Sequence, residues 1–144
     1  MWQLAATFFY LGKLPFAPGS WGSLGALILW IFIPSSYPLH MIVIIILFIV
    51  GVISSKKMAL EMDDDDPSEV VIDEAVGMGI SLFMLPHNLT IYSLAFVLFR
   101  SFDIFKPSFI YHVQSLPGGW GIMLDDVLAG ILTLLICHGL LTIL

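Results

Sequence analysis

Residues 39–55 have the sequence LHMIVIIILFIVGVISS, an apolar run without a single acidic, lysine or arginine side chain. The run belongs to a longer stretch, 14–55, that also lacks these charges and is interrupted by Pro34 and Pro38. An unpaired charge in hydrocarbon costs several kcal/mol, so such runs mark membrane segments. Proline removes an amide donor and stops a helix. The stretch therefore predicts two membrane spans, over residues 19–33 and 39–55.

Two further runs lack these charges. Residues 75–99 are interrupted by Pro86, and each half is too short to cross about 30 Å of hydrocarbon at about 1.5 Å per residue. One kinked span is an alternative. We favour a short helical hairpin, because a hairpin gathers every charged residue at one face of the membrane. Residues 127–144 are just long enough to form a C-terminal span.

The composition agrees with a membrane location. The 144 residues are 59% hydrophobic and 11% charged, whereas soluble domains average about 45–50% apolar and about 25% charged residues. The sequence predicts an all-α integral membrane protein with a single domain over residues 1–144. The expected architecture is a compact helical bundle with two N-terminal spans, a short helical hairpin and a C-terminal span. Residues 1–16 are expected to lie at the membrane interface.

The charge balance excludes several classes of partner and cofactor. Five basic and eleven acidic residues give a net charge of −6, which would repel a nucleic acid. One cysteine, Cys137 in an apolar run, supports neither a disulfide framework nor a thiolate zinc site. Basic residues near span ends favour the cytoplasmic side. The charged face is therefore expected in the cytoplasm.

The first chemical motif is DPSEVVIDE, residues 66–74. Asp66 as N-cap, Pro67 in the first turn and Glu69 in a capping box predict a helix start. On that helix Asp66, Glu69 and Asp73 would share one stripe. Like charges in such a stripe repel one another unless a cation lies between them. The stripe indicates a divalent metal site, with a solvated helix cap as the alternative.

The second motif places Arg100, Asp103 and Lys106 at spacings of three, which predicts one helical face. Such a face can be a ladder of interfacial salt bridges with snorkelling cations. It can also bind an anion, since the arginine fork matches phosphate geometry and lysine adds a point charge. In the second interpretation Asp103 orients these cations or reaches the metal.

The third motif is Asp125 and Asp126, which follow a glycine-rich turn and precede the last apolar run. Adjacent carboxylates entering a membrane helix are costly, which favours a functional role. Neighbouring residues of a helix point in different directions, so we expect one acid to face a metal and the other water or a second ligand. A similar turn with Ser20 and Ser23 opens the first span. Its amides could bind phosphate or simply cap a helix.

Four blocks in this order resemble bacterial phosphatidylglycerophosphatase A: PGSWGS at 18–23, VVIDEAVG at 70–77, FRSFDIFKP at 99–107 and PGGWGIMLDDVLAG at 117–130. One departure is Ser20, where we expect threonine, and serine keeps the hydroxyl. Another is the unusually dense acidic run at residues 63–66. The resemblance implies a magnesium-dependent phosphatase of the bacterial inner membrane. Its substrate would be the lipid phosphatidylglycerophosphate, embedded among other membrane lipids, with the active site on the cytoplasmic face.

Residues and resemblance together give a set of expected roles. The metal ligands for Mg²⁺ are expected to be Asp66, Glu69, Asp73, Glu74 and Asp103. The phosphate is expected to contact Arg100, Lys106, Ser20 and Ser23. The catalytic acids are expected to be Asp73, Asp125 and Asp126, one of the last two acting as base or nucleophile. Direct hydrolysis and a phosphoaspartate route both remain open. The alternatives are another lipid phosphomonoesterase and a divalent-cation transporter, which would need carboxylates at the bilayer midplane.

Overall fold

The computed structural model describes residues 2–14, 16, 18–34, 36–64, 67, 69–113 and 119–143. Every regular element in these ranges is helical, and none is a strand, which confirms the all-α class. The elements are α1 (Trp2–Ala6), a 3-10 helix (Leu11–Lys13), α2 (Pro18–Phe32), α3 (Tyr37–Met62), α4 (Ile72–Leu82), α5 (Leu89–Ile104), α6 (Ser108–Val113) and α7 (Gly119–Ile143).

Two of these helices, α3 and α7, are long and apolar enough to cross a membrane. Helix α3 continues past the predicted end at residue 55, and α7 begins well before residue 127. Helix α2 coincides with the predicted first span but has 15 residues, which give it a length of about 22 Å. It is therefore shorter than the hydrocarbon layer of about 30 Å.

One face of α3 is a continuous stripe of isoleucine side chains that are about half exposed. Exposed apolar surface of this extent is rare on water-facing proteins and indicates contact with lipid or another apolar surface. The spacing of three and four residues keeps the stripe on one side of the helix. Its members are Ile42, Ile45, Ile46, Ile49 and Ile53.

Helix α4 lies at the centre of the protein. All of its residues except Ile80 are buried, and α2, α3, α5 and α7 all pack against it. The chain then turns back into α5, where the Asn88 side chain accepts hydrogen bonds from the amides of Thr90 and Ile91. The run 75–99 therefore forms two helices joined by a turn, and not one kinked helix.

Glycines allow α4 and α7 to touch through their backbones. A Cβ atom at Gly130 would lie 2.6 Å from the carbonyl oxygen of Gly77, and one at Gly77 would lie 2.9 Å from the carbonyl oxygen of Asp126. Small residues at helix crossings permit this close approach in membrane proteins. The crossing brings the acidic start of α4 next to the acidic turn of α7.

We expect Gly130→Ala to lower the thermal unfolding midpoint of the detergent-solubilised protein by several degrees, because the added methyl group collides with backbone atoms. Gly139→Ala is the matched control in the same helix, since a Cβ there meets no described atom within 4 Å. The control should unfold at the same or a higher temperature, because alanine is the better helix former. Equal midpoints for both variants would contradict the close crossing.

The predicted helix start at residues 66–69 is wrong. Helix α4 begins at Ile72, and Glu69 and Val70 lie in a turn before it. The Val71 amide donates to the Ala6 carbonyl at 2.8 Å, and a Cβ atom at Gly12 would lie 1.9 Å from the Glu69 carbonyl oxygen. Tertiary contact with the N-terminal segment therefore overrides the local capping pattern.

The predicted helical stripe of carboxylates is lost with that helix start. Asp66 lies outside the described residues. Glu69 precedes the helix that carries Asp73, so the two are not one helical turn apart on the same face.

The N-terminal segment packs against the end of α3. Trp2 Nε1 and Gln3 Nε2 each donate to a Glu61 carboxylate oxygen at 3.0 Å, and Lys57 Nζ lies 5.3 Å from the centre of the Trp2 ring. Ala6, a few residues on, is fully buried. Residues 2–14 are thus part of the packed structure, and their location at a membrane interface stays a prediction.

Candidate active site

Charged side chains from four parts of the fold meet at one end of the bundle. Helix α4 begins there, α5 ends there, and α7 passes through in its second turn, while the first turn of α2 covers the group from one side. The structure brings together Ser23, Asp73, Glu74, Arg100, Asp103, Lys106, Asp125 and Asp126.

The acids of this cluster are buried to a degree that is unusual for charged groups. The exposed fractions are 8% for Asp73, 7% for Glu74, 4% for Asp125 and 1% for Asp126. Aspartate and glutamate are almost never so buried without a compensating charge. Burial of this kind requires that the acids be neutralised, either by cations or by protonation.

Arg100 supplies part of that compensation. Its Nη1 atom donates to Glu74 Oε2 at 2.9 Å and also to Asp103 Oδ2. Its Nε atom is buried and has no acceptor among the described residues. The guanidinium thus holds α4 and α5 together and retains donor capacity for a further anion.

The start of α2 lies directly over this ion pair. A Cβ atom at Gly19 would lie 2.7 Å from Glu74 Oε1 and 3.1 Å from Arg100 Nη1. A larger residue here would displace the ends of the Glu74 and Arg100 side chains from their present positions. In the sequence, this turn was notable only for its backbone amides as a possible phosphate site. Its contact with Arg100 could not be predicted, because residues 19 and 100 are far apart in the chain.

Ser23 lies behind Glu74 and is fully buried. Its hydroxyl lies 3.0 Å from Glu74 Oε2 and 2.9 Å from the Gly19 carbonyl oxygen, so its single proton can serve either acceptor. We therefore interpret Ser23 as positioning Glu74, and the expected contact with phosphate does not fit its location. Ser20 is partly exposed in the first turn of α2, and its contact with phosphate stays a prediction.

Lys106 is the second cation of the cluster. It lies beyond the end of α5 at Ile104, so the expected helical face of three residues includes only Arg100 and Asp103. Its Nζ atom nevertheless donates to Asp125 Oδ2 and lies 3.9 Å from Asp103 Oδ1. Burial alone would lower the pKa of Lys106. The hydrogen bond and charge of Asp125 raise that pKa above its ordinary value, which keeps the ammonium charged.

Asp125 and Asp126 lie within α7, several residues after its start. The Asp126 amide donates to Asp125 Oδ1 at 2.8 Å. Both side chains are buried, and Asp125 contacts Lys106, so neither faces bulk water. The expectation that one acid faces a metal and the other a second ligand stays a prediction. The burial results from the packing of α7 against α4 and α5, which the position of the two acids in the sequence does not reveal.

Carboxylate oxygens in the cluster are close enough to share a cation. One oxygen each from Asp73, Asp125 and Asp126 lies within 4.8 Å of the others, and the same holds for Glu74, Asp103 and Asp126. Magnesium prefers hard oxygen ligands such as these. Asp126 Oδ2 is buried and accepts no hydrogen bond from the described residues, which also fits a cation ligand.

Of the five expected metal ligands, Asp73, Glu74 and Asp103 belong to these groups. Asp66 lies outside the described residues, and Glu69 belongs to neither group. Burial raises the pKa of the Glu74 carboxyl well above its ordinary value. The charges of Asp73 and Asp103 raise that pKa further, against the opposing effects of Arg100 and Ser23. The surroundings of Glu74 therefore disfavour its charged form when no further cation is present.

Two helices apolar enough to cross a membrane, together with a site that joins carboxylates to a guanidinium and an ammonium, place the protein in the class of helical proteins suggestive of a membrane location. A site that contains both carboxylates and basic side chains suits a phosphate ester, because the negative charge of the phosphate needs cationic partners. The chain belongs to the phosphatidylglycerophosphatase A family, whose model matches residues 4–141. This confirms the resemblance seen in the sequence blocks.

Three relatives are similar over most of their length. Phosphatidylglycerophosphatase A of Escherichia coli strain K12 is 36% identical over 137 residues, covering 92% of this chain and 78% of that protein. Phosphatidylglycerophosphatase A of Haemophilus influenzae is 38% identical over 138 residues, covering 93% and 85%. A Bacteroides thetaiotaomicron protein with the provisional name phosphatidylinositol-3-phosphatase is 39% identical over 136 residues, covering 89% and 86%. No solved structure matches the chain.

Proposed function

We propose that the protein hydrolyses phosphatidylglycerophosphate to phosphatidylglycerol and inorganic phosphate, and that it requires Mg²⁺. The observation that carries the proposal is the cluster of five carboxylates, four of them buried, that meets Arg100 and Lys106 at one end of apolar helices. The site is therefore suited to a phosphate group attached to a membrane lipid. Membership of the family supports the choice of substrate.

In the reaction a water molecule attacks phosphorus and the bond from phosphorus to the headgroup oxygen breaks. The proton lost by water goes to a carboxylate, which later releases it to solvent, and the departing headgroup oxygen takes up a proton from solvent. Arg100 can donate through Nε and its remaining guanidinium protons to two phosphoryl oxygens. Lys106 adds a point charge beside Asp125. Both cations thereby offset charge on the reacting phosphoryl group.

Bound Mg²⁺ would supply electrostatic stabilisation of the phosphoryl oxygens and would lower the pKa of water. The carboxylates available to hold it are Asp73, Glu74, Asp103, Asp125 and Asp126. We assign the proton acceptor to Asp125 or Asp126 because the sequence-based prediction gives one of them the role of base. A phosphoaspartate route would use the same residues, with a carboxylate attacking in place of water.

A second candidate is a phosphatase acting on a different phosphorylated lipid. The provisional name of the Bacteroides relative favours it, since that name specifies an inositol headgroup. Both candidate reactions remove a phosphate group from a membrane lipid, and the two substrates differ in their headgroups. A cation transporter fits less well, because the acids lie at one end of the bundle, where α4 begins and α5 ends.

We expect the detergent-solubilised protein to release phosphate from phosphatidylglycerophosphate at least about tenfold faster than from phosphatidylinositol 3-phosphate, phosphatidate or glycerol 3-phosphate. EDTA should abolish release, and added Mg²⁺ should restore it. Faster release from the inositol lipid would replace the proposed substrate with the second candidate. Release in EDTA would contradict the metal requirement.

We further place the protein in the bacterial cytoplasmic membrane with the site facing the cytoplasm. All five basic residues lie at the site end, on or next to the start of α2, the end of α3 and the end of α5. Basic residues near span ends favour the cytoplasmic side. In the same assay, inverted vesicles should hydrolyse a water-soluble short-chain substrate, and sealed right-side-out vesicles should not.

A further inference from the structure

We propose that the acid cluster binds two divalent cations and that Asp126 is the ligand they share. One cation would be held by Asp73, Asp125 and Asp126, and the other by Glu74, Asp103 and Asp126. The inference rests on the proposed metal requirement and deepens it, since it sets the number of ions and gives Asp126 the role of a ligand rather than of the base or nucleophile.

The geometry divides the acids into two groups of three. Within each group, one oxygen of every residue lies within 4.8 Å of the others, and Asp126 is the member common to both. Asp73 and Glu74 are consecutive in α4, so their side chains leave the helix about 100° apart. They consequently face different partners. Asp73 faces α7, whereas Glu74 faces both α7 and α5.

An independent observation concerns the shared residue itself. Asp126 is 1% exposed, and its Oδ2 atom accepts no hydrogen bond from the described residues. Buried polar atoms nearly always have a partner, and a carboxylate oxygen without one carries a large desolvation cost. A cation ligated by this oxygen would remove that cost. Asp126 is central to the cluster, which is where a ligand common to two ions has to lie.

Charge favours two ions over one. When all five carboxylates are ionised, as ligands of a cation are, they exceed the positive charge of Arg100 and Lys106 by three. One divalent cation would leave a net negative site, which repels a phosphomonoester of charge about −2 at neutral pH. Two divalent cations make the site positive by one charge. Paired cations also suit phosphoryl transfer because they can stabilise the attacking and the leaving oxygen together.

The test is a titration of the full-length, detergent-solubilised protein with Mn²⁺, followed by electron paramagnetic resonance. We expect two Mn²⁺ per chain and a spectrum of magnetically coupled ions, because a shared carboxylate holds them close together. Asp103→Asn should reduce binding to one Mn²⁺ with the spectrum of an isolated ion. Asp126→Asn should remove the coupling and at least one ion. Asp64→Asn, on the exposed turn after α3, should keep both ions.

The outcomes separate this inference from the proposed function. One Mn²⁺ per chain in the unaltered protein, with an isolated-ion spectrum and Mg²⁺-dependent hydrolysis, would overturn the two-ion site and leave the function standing. No bound Mn²⁺ together with hydrolysis in EDTA would overturn both. Two coupled ions that persist in Asp126→Asn would assign the shared ligand to another residue and reject the role given to Asp126.

Discussion

Asp126→Asn should reduce phosphate release from phosphatidylglycerophosphate by roughly 10³-fold or more, whether the carboxylate binds cations or accepts a proton. Asparagine has nearly the same shape, so the packing of α4 against α7 should persist. What is lost is one negative charge at the most buried position of the cluster. The measurement is kcat/KM in detergent micelles at saturating Mg²⁺.

Stability distinguishes this loss of activity from misfolding. Asp126 is surrounded by four other acids, so removing its charge relieves repulsion when no divalent cation is bound. We therefore expect Asp126→Asn to unfold at a higher temperature than the unaltered protein in EDTA, as often follows when a strained active site is relaxed. Asp64→Asn should change neither activity nor unfolding. An Asp126→Asn variant that is both inactive and less stable in EDTA would indicate a structural role.

The gathering of charges at one end of the bundle could be predicted because its cause is visible in the sequence. Charges are excluded from long apolar helices, so they collect where such helices end. Once 75–99 is interpreted as a hairpin, the ends that carry Glu74 and Arg100 must face the same way. The structure joins these two residues in an ion pair.

The error at residues 66–69 has a different cause. A capping box is a local signal worth about 1 kcal/mol, whereas the Val71 amide is held by the Ala6 carbonyl and Glu69 lies against Gly12. These partners are distant in the sequence. Local chemistry alone could therefore not show that the helix starts later.

The sharing of Asp126 between two groups was also hidden from the sequence. Helical periodicity tells which residues of one helix lie on a common face, but not which helices touch. That information comes from the crossing of α4 and α7 at Gly77 and Gly130. Both glycines occur in the sequence blocks of the family, and a pair of glycines on neighbouring helices is the signal that could have located the contact.

Arg100→Lys should reduce kcat/KM for the lipid substrate by roughly 10²-fold, although the charge is kept. Arg100 contacts Glu74 and Asp103 through Nη1 and retains Nε and other donors for an anion. The lysine ammonium is a point charge and lacks the planar set of donors that a guanidinium has. It therefore cannot bind both acids and at the same time donate to two phosphoryl oxygens in one plane. The loss should appear as a raised KM together with a lowered kcat.

Lys56→Arg is the matched control, because it makes the reverse conservative change at an exposed position on α3. It should leave both kinetic constants unchanged. Arg100→Lys with activity within about twofold of the unaltered protein would show that charge alone suffices at this position. Arg100 would then be only the ion-pair partner of Glu74 and Asp103, as in the salt-bridge interpretation. Recognition of the phosphate would have to rest on Lys106 and the bound cations.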